Sequence, residues 1–178
     1  MPGSFPFDFT PTLVGESISL RPLRPEDFES VYSVASDPLV WEQHPFPQRY
    51  KRDVFESGFW AGAIGSAGAL VITDNATGEV IGSSRYYDWN PEAKEVAIGF
   101  TFLARSHWGG ATNGELKRLM LRHAFQWAKV VWFHVGANNV RSRKAMEKIG
   151  ARLSHEETRE IQGVAHVYAC YRVDAPAQ

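Results

Sequence analysis

SHWGGATNGELKRLML, residues 106–121, opens with an aromatic, two adjacent glycines and small polar residues, and closes as an amphipathic run. Leu116, Leu119, Met120, Ala124, Trp127 and Ala128 recur at helical spacing, which predicts a helix over about 112–128. On its N-terminal side KEVAIGFTFL (94–103) reads as a sheet strand; on its C-terminal side VVWFHV (130–135) reads as a short buried one. Strand, helix, strand in that order implies a crossover and a parallel pair, so helices cover a sheet in a mixed α/β layer. Adjacent glycines cost conformational entropy and need a reason. Two remain open. Gly109 and Gly110 make a tight turn capped by Thr112 or Asn113, or they keep the backbone bare where the free N–H groups and dipole of a helix start attract an anion. Two phosphate fingerprints fail. Gly109 and Gly114 have the spacing of a nucleotide P-loop, but Glu115 stands where Lys is required; the dinucleotide fingerprint needs glycine where Ala111 or Thr112 stands.

Outward from this junction the remaining elements follow by period and punctuation. SISLRPL (17–23) alternates as a half-buried strand, and Pro25 with two acids starts a helix that buries Phe28, Val31, Tyr32 and Ala35. Residues 37–50 are a Pro- and aromatic-rich loop, and a second helix runs from there to Gly65. ALVITD (69–74) and EVIGSSRYYD (79–88) form a hairpin about NATG. NVRSRKAMEKIG (139–150) is a helix capped by Asn139 and closed by Gly150. Two antiparallel strands, 151–161 and 165–173, meet near Gln162-Gly163. Residues 1–12 read as an arm, 13–173 as one domain and 174–178 as a frayed tail.

Bulk properties exclude several classes. The 178 residues suit one domain; 44% are hydrophobic and 22% charged, ordinary for a soluble globular chain. A net charge of −1 gives no pull toward nucleic acid or an anionic membrane, and no apolar run approaches the roughly 18 residues of a span. The N-terminus lacks a signal peptide's basic and apolar regions, and the single Cys170 excludes a disulfide framework, so a reducing cytoplasm is expected. The six histidines and Cys170 show no metal-ligand spacing, so no metal is expected.

The ordered motifs resemble the GNAT N-acetyltransferase superfamily. Ser106 to Ala111 is similar to its pyrophosphate loop, Gln/Arg-x-x-Gly-x-Gly/Ala, with Ser at the first position and Arg105 one residue earlier. Trp108, Gly109, Ala111, Asn113, Glu115 and Lys117 resemble W-G-x-G-x-N-x-E-x-K of the ribosomal-protein-alanine acetyltransferase-like branch. LVGESISLRPLRPEDF (13–28) and NVRSRKAMEKIGA (139–151) resemble that branch's opening and its penultimate helix, in the same order. The resemblance implies a central, mostly antiparallel sheet of about seven strands with a parallel splayed pair, flanked by about four helices. It implies acetyl-CoA as donor. Pantetheine would lie along Thr101, Phe102 and Leu103, and the diphosphate on the amides of His107, Trp108, Gly109, Gly110, Ala111, Thr112 and Asn113. Asn139 is expected beside the pantetheine or as a helix cap, and Arg143 or Lys144 at the 3′-phosphate.

The implied reaction is direct acetyl transfer to a primary amine, a protein N-terminus or a small molecule. A free amine has a pKa of roughly 10 and must lose a proton before it attacks. The resemblance places a glutamate where this chain has Ala97; Glu95, on the same strand face, is the stand-in candidate. A family tyrosine that protonates the thiolate is Met146 here, which leaves Ser142 as donor candidate. Glu42, His44 and Tyr87 are candidate acceptor contacts, with Arg49, Tyr86 and Trp89 also considered. Ala97 and Met146 keep a second class open: an acyl-CoA-binding sensor or interaction module without turnover. A monomer or homodimer fits either reading.

Overall fold

A computed structural model describes residues 6–177. The first five residues of the expected arm and the last of the expected tail lie outside the described residues. Eight strands form one sheet: β1 (Leu13–Val14), β2 (Ile18–Pro22), β3 (Leu70–Asp74), β4 (Val80–Asn90), β5 (Glu95–Leu103), β6 (Val130–Gly136), β7 (Arg152–Ile161) and β8 (Val164–Asp174). Their order is β1-β2-β3-β4-β5-β6-β8-β7. Every neighbouring pair is antiparallel except β5 and β6. The helices are α1 (Phe28–Ala35), α2 (Arg52–Phe55), α3 (Ala61–Gly65), α4 (Thr112–Ala124) and α5 (Val140–Lys148). A π-helical segment, Glu56–Trp60, joins α2 to α3. Among the described residues no helix is long and apolar enough to cross a membrane.

Each face of the sheet carries its own core. On one, α4 and α5 lie over Leu20, Ile72, Tyr86, Val96, Ile98, Val131 and Phe133. On the other, α1 and the run from α2 to α3 bury Trp41, Phe55, Phe59 and Phe102. Val131 and Phe133 of β6 join the first core, so by strand alternation Trp132 and His134 face the second side. The chain's entry into α1 is fixed by Arg21 of β2. Its two terminal nitrogens donate to Asp27 at 2.9 and 2.8 Å, and the Arg24 amide donates to the same carboxylate at 2.8 Å. The Arg21 guanidinium holds the Asp27 carboxyl below its usual range.

Several boundaries differ from expectation for identifiable reasons. The helix expected to reach 128 ends at Ala124 and a turn follows. Ala128 nevertheless stays buried, so the apolar period outlasts the helical hydrogen bonding. The arm is not free: Phe7 is buried, stacks on Trp89 and has its ring centre 5.0–5.3 Å from those of Phe9, Tyr86, Trp89 and Trp127. Asp174, expected in the frayed tail, ends β8 and pairs with Arg152 and Arg172. β1 adds a strand too short to carry a sequence period.

Candidate active site

β5 and β6 pair in parallel only at Glu95↔Val130, Val96↔Val131 and Ala97↔Trp132. Beyond Ala97 the ladder stops: β5 continues against β4, and β6 continues against β8 as far as Gly136↔Tyr168. The two strands therefore part, and β5 presents an unpaired edge over its C-terminal half, where an extended ligand can add as a strand. Between Ser83↔Phe102 and Arg85↔Gly99, β5 carries one residue more than β4, with Phe100 at φ 52°. This β-bulge turns the Phe100 side chain outward on the acceptor side.

The junction between β5 and α4 has the properties of an anion cradle. Gly109 is left-handed at φ 74°, and a Cβ at Gly109 or Gly110 would meet nothing within 4 Å. Ala111 occupies the N-cap position and no side chain caps the helix. Glu115, in the first turn, instead accepts the Ser17 amide at 2.9 Å. Among the described residues the N–H groups of Gly109 to Gly114 have no hydrogen-bond partner, whereas those of His107 and Trp108 bond Ala104 and Arg105. The bare stretch thus begins two residues later than the sequence implies. Its shape is fixed from outside. His107 bonds Asp74 of β3 at 3.0 Å and Ser106 at 2.9 Å. The Trp108 indole N–H donates to the Leu103 carbonyl at 2.9 Å, and the Arg141 guanidinium stacks 3.8 Å from its ring.

Lys117, in the second turn of α4, lies under the open half of the cleft. It is 3% exposed, donates to Thr101 Oγ1 at 3.2 Å and sits 5.4 Å from the Phe133 ring. Thr101 in turn shares a 2.7 Å bond with Ser84. Burial pushes the Lys117 ammonium down to about 8. Between about pH 8 and 10.5 the unfolded chain then binds more protons than the folded one, so stability rises with pH in that window and the cost is fully present below it. Lys117→Met is expected to remove this slope, which amounts to about 3 kcal/mol. Urea midpoints at about pH 7 and pH 10 check it; parallel pH profiles for variant and wild type would contradict it.

The remaining expected residues are spread around this cleft. Phe102 and Leu103 are buried on the strand that lines it. Asn139 is the buried N-cap of α5 and accepts the Ser142 amide at 3.2 Å, which brings Ser142 to the helix start beside the end of β6. Arg143 is turned away: it donates to Tyr171 Oη and the Ala137 carbonyl, each at 3.0 Å. Glu95 sits two residues before the strands part and accepts the Trp132 indole N–H at 3.1 Å. Met146 is buried in the first core. Glu42 is exposed on the loop before α2. His44 accepts the Phe46 amide on Nδ1; burial, then Arg49 and Arg141, push it down to about 3, so it is neutral. That loop closes over the acceptor side: Pro45 abuts Gly136, Phe46 lies 4.9 Å from His166, and Gln43 accepts the Arg141 amide at 3.1 Å.

Three features escaped the sequence. Arg49 and Arg85 are 7% and 5% exposed, and their protein acceptors are carbonyls of the π-helical segment, Gly58 at 3.2 Å and Phe59 at 3.5 Å. Neither meets a carboxylate among the described residues, Arg85 Nε has no partner, and burial lowers both to about 10. Tyr87 Oη bonds His134 Nδ1 at 2.7 Å, from β4 to β6 across the gap. Finally, His134, Glu157 and Cys170 bring a ring nitrogen, a carboxylate oxygen and a thiol within 4.8 Å of one another. Strand register assembles that group, which is why no spacing in the sequence revealed it. The one available signal was Lys117, which falls on the buried stripe of α4 with Met120 and Ala124.

Residues 17–152 match the sequence profile of the acetyltransferase (GNAT) domain. No curated protein matches the chain. Among solved structures, a GCN5-related N-acetyltransferase from Brucella melitensis superposes with a TM-score of 0.83 at 18% identity, covering 95% of this chain and 80% of that one. An assigned acetyltransferase from T. thermophilus gives 0.74 at 26% identity, covering 97% and 91%. Mycobacterium smegmatis RimJ, solved with CoA-disulfide, gives 0.68 at 20% identity, covering 95% and 88%.

Proposed function

The chain belongs to the GNAT acetyltransferase family, and from that membership we propose that it moves an acetyl group from acetyl-CoA directly to a primary amine. The observation that carries this reading is the run of unpartnered amides from Gly109 to Gly114 directly beyond the strand edge freed at Ala97. An extended pantetheine arm paired with Thr101 to Leu103 leads a diphosphate onto those amides, where the α4 dipole adds to the hydrogen bonds. RimJ of Mycobacterium smegmatis, with a similar fold, was solved holding a CoA derivative. Acetyl-CoA supplies the activated acyl group; the chain's part is to orient it, exclude water and handle protons.

In this reading Ser142, at the first turn of α5, donates to the departing sulfur, and Asn139 fixes that turn through the Ser142 amide. Glu95 is proposed as a proton acceptor that works through water, because the strands are still paired at its position. Arg143 reaches a 3′-phosphate only by leaving Tyr171 and Ala137. Glu42, His44 and Tyr87 border the acceptor side. Buried Arg49 and Arg85, with no carboxylate partner among the described residues, repel a polyamine and favour a neutral or carboxylate-bearing amine such as a peptide N-terminus.

Thiol release from acetyl-CoA with a panel of amines tests the reading. The expected result is turnover with peptide N-termini or amino acids exceeding that with polyamines. Ser142→Ala should lower turnover about 10-fold or more while leaving the acetyl-CoA dissociation constant unchanged. Tight CoA binding without thiol release from any amine contradicts the reading and favours a non-catalytic acyl-CoA sensor.

A further inference from the structure

We propose that Tyr87 and His134 form a proton relay for the attacking amine, with the Tyr87 hydroxyl facing the cleft and the His134 imidazole as the base behind it. The inference rests on the acetyl-transfer reading above and adds to it the group that takes the proton.

Strand register sets the position of the pair. Tyr87 pairs with Ala97 and Arg85 pairs with Gly99, so these residues share the acceptor face of the sheet. The Tyr87 ring lies on Gly99: a Cβ there would be 2.9 Å from Tyr87 Cε1 and 3.2 Å from its hydroxyl. Only a glycine at 99 lets the tyrosine cross β5 and reach His134, on the far side of the gap, at 2.7 Å. The pair thus spans the point where the strands part. Ala97, one residue inside that point, is 1% exposed and offers only a methyl group. Glu95 lies a further two residues into the paired region and is engaged by Trp132.

The surroundings of the two rings set their charge. The groups facing His134 are Tyr87 and Asp88 of β4, Cys170 of β8, and His155, Glu157 and Arg159 of β7. Burial and then Arg159 hold the imidazole below its usual value of 6.5, against the opposite pull of Glu157 and Asp88. It is therefore neutral at about pH 7 and able to accept a proton. Burial raises Tyr87, so its hydroxyl stays protonated and can pass a proton on only by surrendering its own. These two states make a relay, in which neither group completes the transfer alone. Cys170 is raised by burial and stays a thiol.

In the transfer the amine nitrogen bonds the acetyl carbon and the carbon–sulfur bond breaks. The surplus proton on nitrogen passes to Tyr87 Oη as the Tyr87 proton passes to His134 Nδ1. The sulfur leaves as thiolate and takes one proton, from Ser142 or water. The imidazolium then releases its proton to solvent beside Glu157, which is only partly buried. One N–H is lost and one S–H is gained.

The test is the pH dependence of kcat/KM, with an amine that the wild type acetylates, for wild type, Tyr87→Phe, His134→Gln, Arg159→Gln and Glu95→Gln. Tyr87→Phe and His134→Gln are each expected to lower kcat about 100-fold, with CoA affinity within about twofold of wild type. The double variant should lose no more than either single one, because the two act as a unit. The wild-type acidic limb should lie below about pH 6.5, vanish in His134→Gln and move upward in Arg159→Gln. Turnover should survive treatment with a chelator. Wild-type turnover with both relay variants within about threefold of it overturns the relay alone. So does an acidic limb abolished by Glu95→Gln but retained in His134→Gln, or activity lost to the chelator. A wild type that releases no thiol with any amine overturns the acetyl-transfer reading and the relay with it.

Discussion

Gly109→Val is expected to raise the dissociation constant for CoA at least about 100-fold while the protein remains folded, a loss of about 2.7 kcal/mol or more in binding. Gly109 sits at φ 74°, where a β-branched residue is a genuine outlier. Valine forces the backbone to leave that region, and the amides that follow turn with it. Nothing lies within 4 Å of the added Cβ, and the loop is exposed, so the fold loses little. Gly110, whose φ is not positive and whose surroundings are equally open, supplies the control: Gly110→Ala should leave stability unchanged. Calorimetric titration with CoA alongside thermal melts checks the pair. Unchanged CoA affinity in Gly109→Val with an intact melt would show that the diphosphate does not use this loop.

Gly82→Ala should act in the opposite way, through the fold. Gly82 is fully buried in β4 opposite Leu103. A Cβ there would stand 2.1 Å from the Phe102 carbonyl oxygen and 3.2 Å from Leu103 Cα, both backbone atoms that cannot rotate aside. Relief requires β4 and β5 to separate at the segment that offers its other edge to the donor. A loss of about 3–5 kcal/mol in urea unfolding is expected, in the range of severe core changes, together with weakened CoA binding. A destabilisation below about 1 kcal/mol would mean that the β5 bulge absorbs the methyl group.

The parts of this architecture that were legible in the sequence are those set by local period and by chain order. The alternation of 17–23, the hairpin about NATG and the Asn139-to-Gly150 helix with both its caps were readable because each signal lies within one element. The junction from Arg105 to Asn113 was readable for the same reason: a strand, two glycines and an amphipathic run are contiguous. Where the signal was a buried face, it misled about hydrogen bonding. Trp127 and Ala128 continue the apolar stripe of α4 in a turn, not a helix. Between α2 and α3 the buried residues Phe55, Phe59 and Ala63 recur every four positions. An α-helix of about 3.6 residues per turn would rotate that stripe away from the core, and the π segment Glu56–Trp60 widens the turn to keep it aligned. No residue type announces such a segment.

The chemistry was less legible, because register brings its groups together from distant strands. Tyr87 and His134 are 47 residues apart, and only the pairing of β4, β5 and β6, with a glycine at 99, lets them touch. Arg49 and Arg85 are polar residues in aromatic surroundings. Their burial follows from carbonyls freed by the π segment, which was itself unreadable. Asn139, in contrast, was open between a cap and a cofactor contact. The structure displays the cap through its bond to the Ser142 amide, and the same bond orients the residue proposed to face the sulfur.

The most direct measurement of the central claim is a CoA titration of isotopically labelled protein followed by amide NMR. If the diphosphate rests on the bare start of α4 and the arm lies along the free edge of β5, the largest shifts will fall on Gly109 to Gly114 and on Thr101 to Leu103. Shifts confined to another surface, with the glycine amides unmoved at saturation, would contradict the account.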